Sequence, residues 1–103
     1  MLEKFTIATF AGREGETFRI CPEEQPPINT VLVTVTDLSP RLGRPLDPGD
    51  LRTPFSVVFR GPMTPMLPQR IYRLAHDELG EFELFIVPLG PDREGLRYEA
   101  VFT

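Results

Sequence analysis

The stretch QRIYRLAHDELGEFELFIVPLG, Gln69 to Gly90, reads as two strands joined by a tight turn. Tyr72 and Leu74 alternate onto one face of the first strand, and Phe82, Leu84 and Ile86 form the matching face of the second. Between them His76 to Gly80 supplies polar turn residues and a glycine able to take the left-handed conformation. Pro88 is expected to end the second strand. An antiparallel hairpin of this kind must bury its apolar face against more sheet, so the rest of the chain is expected to supply further strands.

The flanking sequence supplies them. Thr17 to Cys21 alternates with Phe18 and Ile20 inward. INTVLVTVTDL, Ile28 to Leu38, carries Val31, Val33 and Val35 on one face and Leu32, Thr34 and Thr36 on the other, as a central strand would. Phe55, Val57 and Phe59 alternate up to a stop at Gly61-Pro62, and Tyr98, Ala100 and Phe102 face the core on a last strand. Thr6 is placed to cap a single helical turn through Phe10, anchored by Leu2, Phe5 and Phe10.

Prolines and glycines punctuate the intervals. CPEEQPP after the first strand and SPRLGRPLDPGDLRT, residues 39 to 53, read as loops, the latter with a β-turn at Asp47-Pro48-Gly49-Asp50. With 12 prolines and 8 glycines in 103 residues, long helices have little room. The expectation is one all-β domain over residues 1 to 103, a small antiparallel barrel or sandwich of about six strands with at most one short helical turn near the N-terminus.

A formal charge of −4 with no basic run argues against nucleic acid as a partner. The lone Cys21 allows no internal disulfide, and the N-terminus lacks a signal-peptide pattern. No window approaches the roughly 20 apolar residues of a membrane-spanning helix. These features lead us to expect a cytoplasmic protein without a membrane role.

No residue pattern dictates a reaction, and no catalytic residue, cofactor site or metal site is assigned. His76 with Asp77, Glu78 and Glu81 is the material of a metal site or an acid-base pair, but adjacent turn residues point apart and this is the sole histidine. Asp37, Asp47 and Asp50 lack the alternating oxygens of a calcium loop. Cys21 is followed by proline with no histidine near it in sequence, and Ser39 and Ser56 sit in no nucleophile elbow.

The segment MTPMLPQ differs from an ordinary loop because it presents Met63, Met66 and Leu67 on a proline-stiffened tip. Arg60, Arg70 and Arg73 lie beside it in sequence, and arginine next to exposed apolar side chains is the composition of an interface centre. Met63, Met66, Leu67, Arg70 and Arg73 are therefore the expected partner-binding residues, the partner being a protein. A homodimer formed by pairing of an exposed strand is a further expectation. The alternatives are a barrel that binds a small ligand and a metal-assisted enzyme built on His76 and its neighbouring carboxylates.

The runs PFSVVFRGP, LPQRIYRLAHDELGEFELFIVPLGP and RYEAVFT, with the opening LEKFTIATFAGREGETFRI, resemble a family of small bacterial all-β domains of unknown function. The family pattern pairs an LPQ opening with H-x-E-L-G, F-x-L-F-x-V-P and a final YEAVF, here represented by Leu67, Pro68, Gln69, Tyr72, Leu79, Gly80, Phe85 and Pro88. The resemblance implies an interaction or assembly role in a phage-tail-like setting and carries over no catalytic residue.

Overall fold

The computed structural model describes residues 5–38 and 54–102. The expected 39 to 53 loop, its turn at Asp47 to Asp50, Ser39 and the Leu2 anchor lie outside the described residues. One short helix, α1 (Ile7–Phe10), precedes six strands: β1 (Thr17–Cys21), β2 (Ile28–Asp37), β3 (Phe55–Gly61), β4 (Arg70–His76), β5 (Gly80–Pro91) and β6 (Leu96–Phe102). They close into an antiparallel barrel in the order β1-β2-β3-β6-β5-β4, with β4 returning to β1. The fold is thus the barrel and not the sandwich.

The alternation in the sequence places the core strand by strand. Phe18 and Ile20 of β1, Phe55, Val57 and Phe59 of β3, Tyr72 and Leu74 of β4, Phe82, Leu84 and Ile86 of β5, and Tyr98 and Ala100 of β6 all point into the barrel. Their period of two puts a largely apolar lining inside. Phe10 of α1 plugs one mouth, its ring centroid between 5.5 and 6.3 Å from those of Phe18, Phe55, Phe82 and Phe102. Phe55 and Phe102, register partners on β3 and β6, stack at 4.4 Å beneath it. At the start of α1 the Thr6 N–H donates to Thr9 Oγ1 at 3.0 Å, so the expected threonine cap is present through its reciprocal bond.

Two strands depart from the simple alternation. In β2 the inward residues are Ile28, Thr30 and Leu32, whereas Val31 faces out. The register with β3 shifts between Leu32 and Thr34, leaving Val33 as an extra residue that reverses the phase and brings Val35 against the core. The single face expected for Val31, Val33 and Val35 is corrected by that bulge. Buried Thr30 is satisfied because its hydroxyl donates to the Phe18 carbonyl at 2.6 Å.

Likewise Pro88 does not end β5, which runs on to Pro91. The pairing of β5 with β6 shifts between Pro88 and Gly90, and a bulge is the position within a sheet where a proline is tolerated. Gly80 opens β5 with φ +81, as the hairpin turn requires. Gly95 is required for another reason: a Cβ there would collide with the Gly61 carbonyl oxygen.

The second mouth, where β2, β4 and β6 begin, is covered by the connection from β3 to β4. Leu67 is buried at 1% exposure and its N–H donates to Tyr98 Oη at 3.1 Å. Tyr72 Oη donates to the Pro68 carbonyl at 2.6 Å. Two inward tyrosines therefore hold the Leu-Pro of the LPQ motif over the barrel.

Candidate binding surface and the His76 turn

Because the two tyrosines pin residues 67 and 68, the apolar tip divides. Leu67 is part of the core, which corrects the expectation that it is presented to a partner: its side chain fills the barrel mouth that the Tyr98 hydroxyl closes from within. Met63 and Met66 stay exposed, at 50% and 63%. They sit on a loop anchored at its next residue.

Arg70 begins β4 beside that anchor. Its guanidinium lies 3.5 Å from Glu24 and 5.9 Å from the centroid of the Tyr72 ring. Arg73 follows on the same strand and, among the described residues, no ion pair or hydrogen bond engages its side chain. Both arginines line a cleft of about 540 Å³ with Cys21, Pro22, Glu23, Ile71, Tyr72 and Glu83. The cleft exists because β1 stops at Cys21: Cys21 pairs with Arg73, and Pro22 cannot donate to the next rung. Arg60 does not join this surface. It grips Asp92 through Nε at 2.9 Å and Nη2 at 2.6 Å and reaches Glu94 at 3.0 Å, tying β3 to the turn before β6. Those bonds, first from Arg60 and then from the Glu94 N–H, hold the Asp92 carboxyl down to about 2.

At the opposite end the His76 group is rearranged relative to the sequence expectation. The buried imidazole stacks on Phe18 at 4.4 Å between centroids. Its Nδ1 accepts the N–H groups of Glu78 and Leu79, both at 3.1 Å, so the proton resides on Nε2, which donates to Glu16 Oε1 at 2.7 Å. The neighbouring carboxylates turn elsewhere: Asp77 pairs with Arg19 at 3.6 Å and Glu78 with Arg13 at 2.6 Å. The His76 bond, assisted by Arg13, lowers the Glu16 carboxyl below its ordinary range. Both ring nitrogens are thus engaged by groups of the chain itself. Among the described residues no three His, Cys, Asp or Glu side chains group to hold a metal ion.

Glu16 was not legible beside His76, since the two are 60 residues apart and meet only through β1 and β4. The outward Ile71 and Phe85, cross-strand partners exposed at 62% and 50%, follow from the alternation that sends Tyr72, Leu74, Leu84 and Ile86 inward. Val101 of β6 is another exposed apolar residue on the outer wall.

The six-stranded barrel and its LPQ clamp fall within residues 5–102, the span matched by a family model described as a domain of unknown function, DUF6916. The chain belongs to the DUF6916 family. That places the resemblance drawn from the LPQ, H-x-E-L-G and YEAVF runs in a named family. No curated protein and no solved structure matches the chain. In this member of DUF6916 the motif residues Leu67, Pro68 and Tyr72 are joined in the clamp at the barrel mouth, and Gly80 makes the hairpin turn.

Proposed function

We propose that the chain is a non-enzymatic protein-binding or assembly module. Its contact surface is the barrel end where β2, β4 and β6 begin, with Met63 and Met66 at the centre and Arg70 and Arg73 at the side. The observation that supports this reading is the split at residues 66 and 67: Leu67 is locked into the core while Met66 immediately before it stays exposed at 63%. A loop anchored in this way loses little conformational entropy when its methionines are covered, and methionine adapts to the shape of a partner. The occupied ring nitrogens of His76 weigh against the acid-base alternative.

The test is affinity capture from a lysate of the source organism with the tagged chain, beside a Met63→Ser/Met66→Ser variant that keeps Leu67. Specific capture by the wild-type chain that drops at least tenfold in the variant is the expected result. Equal capture by both proteins overturns the surface assignment.

A further inference from the structure

We propose that the cleft between the end of β1 and the start of β4 takes an extended segment of a partner protein. The segment adds a short strand to β4, with an apolar side chain over Ile71 and a single carboxylate against Arg73. This deepens the binding-module reading and rests on it.

Several strand ends in the barrel are paired on one side, but at the start of β4 the missing neighbour leaves a lined opening. Arg70, Ile71 and Tyr72 pair with Ile86, Phe85 and Leu84 of β5, whereas the rungs with β1 end at Cys21 and Arg73. The free edge of Arg70 to Tyr72 faces Pro22 and Glu23 across the cleft of about 540 Å³. That volume lies in the range of pockets that enclose a small ligand, so it admits a few residues of extended chain and not the wall of another barrel. An extended chain satisfies such an edge by main-chain hydrogen bonds and draws specificity from alternate side chains.

The side chains around the edge define what the segment carries. A residue placed opposite Ile71 on the outer face meets the exposed Ile71 side chain, which continues into Phe85 on β5. Arg73 lies diagonally from that position, within reach of a long side chain, and its guanidinium has no partner among the described residues. Glu83 is its register partner and Glu23 lines the opposite wall. These two carboxylates repel an acidic run, which limits the segment to one acid, and Arg70 is already engaged with Glu24.

The experiment titrates the ¹⁵N-labelled full chain with two synthetic peptides, acetyl-Thr-Val-Asp-Val-Thr-amide and its lysine counterpart. The expected result is amide shift changes confined to Cys21, Glu23 and Arg70 to Arg73, at least tenfold tighter binding of the aspartate peptide, and reversal of that preference in Arg73→Glu. Arg73→Gln, which adds no new charge, is expected to lose the preference without reversing it. Equal response to both peptides, no response at millimolar concentration, or shifts centred elsewhere overturns the inference. Capture by the wild-type chain that depends on Met63 and Met66 while the peptides fail removes the strand addition and leaves the binding module standing.

Discussion

His76 Nε2 and Glu16 Oε1 lie 2.7 Å apart across 60 residues of sequence, while His76 Nδ1 receives two backbone N–H groups from its own turn. The imidazole is thereby the cross-link between β1, β4 and the hairpin that begins β5.

Replacing His76 by phenylalanine retains stacking on Phe18 but leaves the Glu78 and Leu79 N–H groups without their acceptor. We expect a loss of about 2 kcal/mol in urea unfolding, since each partly buried group deprived of its bond costs on the order of 1 to 3 kcal/mol at full burial. Glu16→Gln keeps an acceptor for Nε2 and is expected to cost less than half as much. Equal losses for the two variants would show that the turn bonds to Nδ1 contribute nothing.

Acid should unfold the protein partly through Asp92. Its carboxyl sits at about 2 in the folded protein against an ordinary 3.8, so the unfolded chain takes up this proton first as the pH falls. The contribution is complete above the ordinary value and is lost as the pH drops through the interval toward 2. Glu16, also depressed, acts in the same direction below its ordinary 4.5. Thermal midpoints measured from pH 6 to pH 2 should therefore fall less steeply below pH 4 in Asp92→Asn than in the wild type.

The split between Met66 and Leu67 has a thermodynamic signature of its own. Leu67→Ala opens a cavity beneath the clamp and is expected to cost roughly 2 to 5 kcal/mol. Met66→Ser, at an exposed site, should stay within about 0.5 kcal/mol. Denaturant midpoints for the pair decide the matter, and comparable losses would place Met66 in the core as well.

Gly95→Ala should destabilise strongly, because its Cβ would meet the backbone of Gly61 and not a side chain that can swing away. Gly80→Ala is open to solvent around its Cβ and carries the strain of φ +81 alone, so it is expected to cost only about 1 kcal/mol. Unfolding curves in which the Gly80 variant is the less stable would contradict this order.

Strand positions and most of the core were legible because a period of two is a local property. Phe18, Ile20, Phe55, Val57, Phe59, Tyr72 and Leu74 needed no knowledge of their partners to be read as inward. The bulges at Val33 and Leu89 were not legible, since an extra residue shows itself only against the strand opposite. For the same reason Val31 and Val35 do not share the one face that plain alternation gives them, and Pro88 lies within β5 and not at its end.

The candidate site divides along the same line. Alternation and loop composition alone pointed to the Met63 to Arg73 region and to a chain of strands. Tertiary structure decided that Leu67 is core, that Arg60 belongs to Asp92, that Glu16 completes the His76 turn, and that the sheet closes. Periodicity states which way a side chain leaves its own strand. What it meets there depends on contacts between residues far apart in the chain, and those exist only once the barrel has closed.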